Sequence, residues 1–233
     1  MAPERETKGK AAPVQVPIGE ARLPGDLGLP AGAHGIVLFA HGSGSSRHSP
    51  RNQYVARALE RRDLATLLID LLTPEEERVD DDTAQYRFDV GMLASRLVTI
   101  VDWLGRRHET ASLPIGLFGA STGGGAALMA AADRPREIAA VVSRGGRPDL
   151  AGVALAKVTT PTLLIVGGLD TPVIHMKRDA MNEMRGQVKL EIVPGATHLF
   201  EEPGTLERVA ELAGNWFDRH LQPALWTRRR ERR

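Results

Sequence analysis

The chain has 233 residues, of which 42% are hydrophobic and 25% charged, with a formal net charge of +1 and no cysteine. This length suits one large α/β domain and is too short for two of comfortable size. The near-neutral charge gives no general attraction to nucleic acids or acidic membranes, and the lack of cysteine excludes disulfides, thiol catalysis and cysteine metal sites. Because neither a membrane-length apolar run nor a secretory signal is evident, we expect a cytoplasmic protein.

Composition divides the chain into three parts. Residues 1–13 are charged, small and proline-bearing, which is typical of a loose tail. Residues 14–221 form the predicted domain. Residues 222–233 end in an arginine-rich run without interleaved aromatic residues, which indicates a solvated tail rather than a nucleic-acid-binding segment.

Strand and helix patterns alternate through the predicted domain. Two short strands within 14–28 are expected to form an antiparallel edge, and a continuous apolar run at 35–40 is typical of a strand buried on both faces. Acidic residues fill 71–83, which we interpret as a solvated loop or a lid over a nearby site. The other predicted strands lie at 65–70, 114–120, 139–143, 161–166 and 188–193, and the predicted helices at 50–59, after 83 to about 107, after 121, and at 148–157, 173–184 and 205–221. This alternation predicts a mostly parallel central sheet with helices on both faces.

The stretch Gly119-Ala-Ser-Thr-Gly123 lies between an apolar strand and an alanine-rich helix. A serine on such a sharp strand-to-helix turn has its hydroxyl lifted clear of the backbone, so Ser121 is the predicted nucleophile. Two other interpretations fit these glycines less well. A dinucleotide-binding turn would need an acidic residue at the end of the next strand, and a phosphate-binding loop would need a lysine after the glycines.

A serine nucleophile needs a histidine base and a carboxylate that orients it. Asp170 and His198 each follow a later predicted strand, so the order Ser121, Asp170, His198 matches the order of such a triad on this type of sheet. Asp170 could instead cap a helix, and His198 is one of seven histidines. His48 and His41 are rival bases, although His41 is more simply explained as a residue that orients the neighbouring loop.

The segment His41-Gly-Ser-Gly44 follows the first buried strand and is a candidate oxyanion loop. We expect the NH of Thr122 to be one oxyanion donor and the NH of Ser43 the other, with Gly44 as second choice. Three arginines also follow strand ends or this loop and could bind a substrate carboxylate or phosphate. Alternatively they could pair with the acids at 80–82 or with Asp149. These arginines are Arg47, Arg51 and Arg144.

These motifs together resemble the dienelactone hydrolase-like family of α/β-hydrolases. The resemblance covers nearly all of 14–221 and rests on His41-Gly-Ser-Gly44, Gly119-Ala-Ser-Thr-Gly123, Gly167-Gly-Leu-Asp170 and Gly195-Ala-Thr-His198, with the helix at 87–91 also similar. It implies an α/β-hydrolase fold and hydrolysis of an ester. The namesake enzymes of this family use cysteine where this chain has Ser121, which favours a more general serine esterase.

The expected function is therefore hydrolysis of a small-molecule ester, with an anionic substrate as one option, and without a metal or organic cofactor. Two alternatives stay open on the sequence alone. The same triad could perform acyl transfer or peptide cleavage, or the fold could serve as a non-catalytic receptor for a small ligand. Neither the acyl group nor the oligomeric state can be derived from the sequence.

Overall fold

An eight-stranded sheet forms the centre of the protein in the computed structural model, which describes residues 11–224. The strand order is β1-β2-β4-β3-β5-β6-β7-β8; β2 is antiparallel to both of its neighbours and the other pairs are parallel. The strands are β1 (Ala12–Ile18), β2 (Ala21–Gly28), β3 (Gly35–Ala40), β4 (Leu64–Ile69), β5 (Ile115–Ala120), β6 (Ile138–Arg144), β7 (Thr162–Gly167) and β8 (Val188–Val193). The helices are α1 (Pro50–Glu60), α2 (Pro74–Thr83), α3 (Val90–Leu104), α4 (Thr122–Asp133), α5 (Thr171–Glu183) and α6 (Thr205–His220), and a 3-10 segment spans Pro148–Lys157. The predicted mostly parallel sheet with an antiparallel N-terminal edge is confirmed.

The antiparallel edge begins slightly earlier than the sequence predicts. Strand β1 starts at Ala12, inside the stretch assigned to the N-terminal tail, because residues 12 and 13 pair with Leu27 and Asp26 of β2. Residues 1–10 of that tail and the arginine-rich end from 225 onward lie outside the described residues.

Strands β3 to β7 are buried along their whole length, as their continuous apolar runs predict. Successive side chains alternate between two cores: Leu38 of β3 packs with α3 and α4, whereas Phe39 packs with α1 and α6. The Phe39 and Phe118 rings are 4.9 Å apart at their centroids on the second face. Because these strands pair in parallel, their carboxyl ends lie along one edge of the sheet. None of the helices within residues 11–224 has both the length and the apolar character needed to cross a bilayer.

The acidic segment at 71–83 is mostly helical, so the predicted loop is wrong there. Thr73 caps α2: its hydroxyl accepts a bond from the Glu76 NH, and the Glu76 carboxylate accepts one from the Thr73 NH. Pro74 occupies the first helical position, and the carboxylates of the first turn interact favourably with the positive end of the helix dipole. Arg96 of α3 bonds to both oxygens of the Glu76 carboxylate and so ties α2 to α3.

Candidate active site

Ser121 lies on the turn between β5 and α4, where the sequence predicts the nucleophile. Its backbone has φ 49° and ψ −123°, a conformation that side-chain-bearing residues rarely adopt. Such strain costs of the order of 1–3 kcal/mol and persists only where the surrounding structure imposes it. The Ser121 NH donates to the Arg144 carbonyl over 3.4 Å, and the Ser121 carbonyl accepts from Gly124 and Arg147, so both sides of the turn are held.

Three glycines allow the chain to pass close to this turn. A Cβ on Gly119 would lie 2.5 Å from the Gly123 carbonyl oxygen, and one on Gly123 would lie 2.5 Å from the His41 carbonyl oxygen. A Cβ on Gly42 would lie 2.9 Å from the Ser121 Cβ. All three distances are shorter than a methyl group tolerates, so the pattern of glycines around Ser121 has a steric cause.

Asp170 and His198 form a direct pair at the carboxyl ends of β7 and β8. The His198 Nδ1 atom lies 2.7 Å from the Asp170 Oδ2 atom. Asp170 occupies the N-cap position of α5, but its side chain makes no capping bond, so the alternative that it serves as a helix cap is not supported. The side chain of Asp170 is largely buried, whereas that of His198 is 38% exposed. A buried carboxylate that holds a half-exposed imidazole can orient the ring while leaving its other nitrogen accessible.

The segment from Arg144 to Gly146 connects Ser121 with this pair. Its first residue accepts the Ser121 NH bond, and its second residue, Gly145, has φ 52°. A Cβ on Gly145 would lie 3.0 Å from the His198 carbonyl oxygen and 3.6 Å from the His198 Cε1 atom. Through Arg144 and Gly145 this segment contacts both Ser121 and His198 at the carboxyl ends of the parallel strands.

The candidate oxyanion loop at 41–44 lies against the start of α4. The Ser43 NH donates to the Thr122 hydroxyl over 2.8 Å, so this loop is fastened to the start of α4 beside Ser121. An oxyanion would have to share the Ser43 NH with that hydroxyl, because one NH makes one strong bond at a time. Gly44 has φ 65°, which turns the loop sharply just beyond this contact.

Removal of the Thr122 hydroxyl should therefore loosen the loop without removing the backbone donors. We expect Thr122→Val to lower turnover about tenfold, which is less than the hundredfold or greater loss typical of a missing oxyanion donor. Steady-state ester hydrolysis measures this effect, with Thr122→Ser as the matched variant that keeps the hydroxyl. Equal turnover in the valine variant and the wild type would contradict a role for this contact.

Both ring nitrogens of His41 lie against backbone groups. Its Nε2 atom accepts a bond from the Leu71 NH at 3.0 Å, and its Nδ1 atom lies 3.0 Å from the Gly42 carbonyl oxygen. Desolvation of the ring lowers the pKa of His41 from its ordinary value, so the neutral tautomer that makes both bonds is favoured. His48 lies farther along the same loop, where its NH bonds to the Ser46 hydroxyl.

The three arginines proposed to bind a substrate anion are already engaged by protein groups. Arg47 pairs with Asp70 and with Asp26 rather than with the acids at 80–82, and Arg51 pairs with Glu201. Asp80 and Asp81 pair instead with Arg87, and Asp149 pairs with Arg147.

Arg144 is only 6% exposed. Its guanidinium bonds to the Leu199 carbonyl and the Asn52 side chain and lies 5.9 Å from the centre of the Phe200 ring. Desolvation, with a smaller contribution from the charge of Arg51, lowers the pKa of Arg144 to about 10. All three guanidinium groups thus contact protein groups, and the binding of a substrate anion by these arginines stays a prediction.

An open cleft of about 470 Å³ adjoins the oxyanion loop and Thr122. Four carboxylates and one guanidinium line it, together with His41, the loop from Gly42 to Ser45, and two leucines; the charged groups are Asp70, Glu77, Asp80, Asp81 and Arg87. Asp80 accepts bonds from Arg87 and from the Tyr86 NH, and these bonds outweigh desolvation and lower its pKa. The cleft is thus negatively charged at neutral pH. Within residues 11–224, no cluster of histidine and acidic side chains is arranged to hold a metal ion.

Comparison with known proteins identifies the family. Residues 33–213 match the family described as "Alpha/beta hydrolase domain". The crystal structure of dienelactone hydrolase from Anabaena variabilis is 59% identical, with a TM-score of 0.90 over 92% of this chain and 99% of that one. The chain belongs to the dienelactone hydrolase-like family of α/β-hydrolases.

Two further relatives of this α/β-hydrolase differ in sequence identity and in how much of their length it covers. Carboxyl esterase 2 from the fungus Tuber melanosporum shares only the fold, with 17% identity and a TM-score of 0.71 over 94% of this chain and 90% of that one. A Mycobacterium tuberculosis protein named as a phosphoribosyl transferase is 58% identical over 208 residues, which is 89% of this chain and 46% of that protein. The chain spans about half the length of the curated relatives it matches. Family membership supports a hydrolase activity.

Sequence reasoning missed Lys177, a fully buried residue of this hydrolase. Its Nζ atom donates to the Ser143 carbonyl oxygen at 3.0 Å and to the Ser143 hydroxyl at 3.3 Å. A signal was present, because Val173, Ile174, Lys177 and Ala180 fall at the helical spacing of one apolar stripe, and the lysine is its one charged member. Burial lowers the pKa of Lys177 to about 7, although the charge of Asp170 opposes this shift.

The buried lysine should make stability depend on pH. In the unfolded chain a lysine keeps its proton up to pH of about 10.4, whereas in the folded protein Lys177 keeps it only to about pH 7. The unfolded state therefore binds more protons between these values, and the contribution of Lys177 to stability rises with pH across this window. We expect Lys177→Met to be more stable than the wild type at pH 6.5 by a few kcal/mol, with a smaller difference at pH 9.5. Urea unfolding of both proteins at the two pH values measures this; a difference that does not change with pH would contradict it.

Proposed function

We propose that this chain is a serine hydrolase that cleaves the ester bond of a small molecule, with Ser121 as nucleophile, His198 as general base and Asp170 as the group that orients His198. The observation that carries the proposal is the strained backbone of Ser121 at the turn between β5 and α4. The Asp170–His198 pair and the esterase among the structural neighbours support it. Strain of this kind at a serine indicates a function that depends on the position of the hydroxyl.

In the proposed reaction the Ser121 oxygen attacks the ester carbonyl carbon while His198 takes the hydroxyl proton. The resulting oxyanion accepts bonds from the Thr122 NH and from the loop at Ser43 and Gly44. When the intermediate collapses, the bond to the alcohol breaks and His198 returns the proton to the departing oxygen. A water molecule, deprotonated by His198, then attacks the acyl group; the bond to the Ser121 oxygen breaks, His198 returns the proton to that oxygen, and the acid is released. Asp170 stabilises the imidazolium that forms in both steps.

The name of the Mycobacterium tuberculosis relative does not carry over to this chain in our proposal. More than half of that protein has no counterpart here, so its name describes a molecule that this chain represents only in part. The residues that this chain brings together at the sheet edge fit acyl chemistry instead, since a serine and a paired histidine serve nucleophilic attack.

Hydrolysis of p-nitrophenyl acetate tests the proposal, with two histidine variants compared. His198→Ala should lower kcat at least about a thousandfold, because the serine then lacks its base. His48→Ala is the matched control, since His48 was the rival base and lies outside the Asp170 pair; it should retain nearly full activity. Loss of activity in the His48 variant with full activity in the His198 variant would refute the assignment of the base.

The charge of the cleft favours a neutral or cationic substrate over an anionic one. Glu77 contributes an exposed carboxylate to the lining, close enough to His41 for their charges to interact. We expect kcat/KM for p-nitrophenyl acetate to exceed that for its hemisuccinate analogue. Glu77→Gln should lower the ratio of the two kcat/KM values about threefold, because one repulsive charge is lost.

The matched control for this substitution is Glu75→Gln on the same helix, where the carboxylate pairs with Arg78 outside the cleft lining. Parallel kinetics on the two esters at low ionic strength provide the measurement. A higher kcat/KM for the hemisuccinate in the wild type would overturn the expected selectivity and favour the hypothesis of an anionic substrate.

A further inference from the structure

Lys177 is a buried cation whose hydrogen bonds, within residues 11–224, go to Ser143 alone. Both of its acceptors are uncharged, a carbonyl oxygen and a hydroxyl. An ammonium ion removed from water without a carboxylate in contact costs stability, and an apolar residue of similar length would avoid this cost. The packing of α5 against the sheet therefore gives no reason for a lysine at this position, and its neighbours must be considered.

Ser143 directly precedes the segment from Arg144 to Gly146, which contacts both Ser121 and His198. The next residue, Arg144, accepts the Ser121 NH bond, and Gly145 lies against His198. The Ser143 hydroxyl itself fills the space next to Gly146 and Gly124, where a Cβ on either glycine would collide with it. A bond from Lys177 to Ser143 therefore fixes the backbone that contacts both the nucleophile and the base of the proposed site.

The second neighbour is Asp170, at the N-terminus of the helix that carries Lys177. The two residues are seven positions apart, which is about two helical turns or about 10 Å along the axis. Opposite charges in a dry interior attract over longer distances than in water, and the charge of Asp170 favours the protonated lysine.

We propose that Lys177 is a positioning residue of the active site, which anchors the segment from Ser143 to Gly146 through its two hydrogen bonds to Ser143. This inference rests on the proposed function. It assigns to the interior of the protein a group that never touches substrate and acts through Ser143.

The test compares Lys177→Met with Lys157→Met, the same change at an exposed lysine at the end of the 3-10 segment that packs on α5. For Lys177→Met we expect kcat on p-nitrophenyl acetate to fall about ten- to hundredfold with KM changed less than about threefold, because misplacement of reacting groups reduces turnover rather than binding. Lys157→Met should leave both unchanged. The melting temperature of Lys177→Met should equal or exceed that of the wild type, which separates a positioning role from a purely structural one.

Two further variants cover the case that the methionine variant does not fold. Lys177→Gln removes the charge but keeps an N–H donor, and Ser143→Ala removes only the hydroxyl acceptor; we expect both to lower kcat, the second by less than about fivefold. Wild-type kcat in folded Lys177 variants would overturn this inference while leaving the serine hydrolase intact. A wild-type protein that neither hydrolyses the ester nor reacts with a fluorophosphonate at Ser121 would overturn the proposed function and this inference with it.

Discussion

Ser121→Ala is expected to lower the turnover of p-nitrophenyl acetate by at least about 10⁴-fold, because the hydroxyl that would carry the acyl intermediate is removed. Alanine keeps the size of the side chain and faces the same backbone strain at φ 49°, so the fold should be retained. Equal melting temperatures and circular dichroism spectra of the two proteins would show that the loss is chemical.

The residual rate of this variant is informative as well. Binding and oxyanion stabilisation can continue without the nucleophile, so a small rate above the uncatalysed reaction is expected to remain. Activity within tenfold of the wild type would contradict the assignment of Ser121 and direct attention to another nucleophile.

Gly123→Ala is expected to have the largest effect on stability. Alanine is favoured over glycine inside a helix by about 1 kcal/mol, so propensity alone predicts a gain. The added methyl group would, however, lie 2.5 Å from the His41 carbonyl oxygen and overlap the Ala40 carbonyl, and both of these are backbone groups at the junction of β3 and the loop that follows it. Overpacking against atoms that cannot move aside costs about 3 kcal/mol or more, so the clash dominates.

For a chain of this length that loss corresponds to a fall in melting temperature of roughly 6 °C or more after the gain in propensity is subtracted. Differential scanning calorimetry measures it, and Gly91→Ala is the matched control in a helix. A Cβ on Gly91 meets only the Asp89 carboxylate at 3.5 Å, so this variant should be as stable as the wild type or more stable. Unchanged stability of Gly123→Ala would show that the loop moves aside easily.

The fold and the position of the proposed nucleophile could be predicted because their signals are local. Continuous apolar runs require strands buried on both faces, and glycines on each side of Ser121 are required by the contact between β5, α4 and the loop after β3. The relation between Asp170 and His198 followed from chain order, since each residue lies just after one of two neighbouring parallel strands.

What the sequence did not reveal depends on contacts between distant residues. Arg47 was expected at the mouth of the site, but it is engaged by Asp26 of β2 and by Asp70, which directly follows β4. The pairing of β2 with β4 cannot be inferred from spacing. The role of Lys177 requires knowing that α5 packs its apolar stripe beneath the end of β6.

The helix α2 is a different case, because its signals are local and were present. Thr73, Pro74 and Glu76 form a capping-box pattern at the start of the acidic run. The high charge of the segment concealed this pattern. Charge in the first turn of a helix is favourable, so an acidic run after a capping residue predicts a helix rather than a loop.

The most direct test of the central claim is mass spectrometry of the intact protein and its peptides after incubation with a fluorophosphonate probe. We predict one adduct per chain, located on Ser121, formed rapidly in the wild type and at least about a hundredfold more slowly in His198→Ala, because the probe reacts only with an activated serine. A folded protein that forms no adduct, or forms it on another residue, would contradict the account of Ser121 as a nucleophile activated by His198.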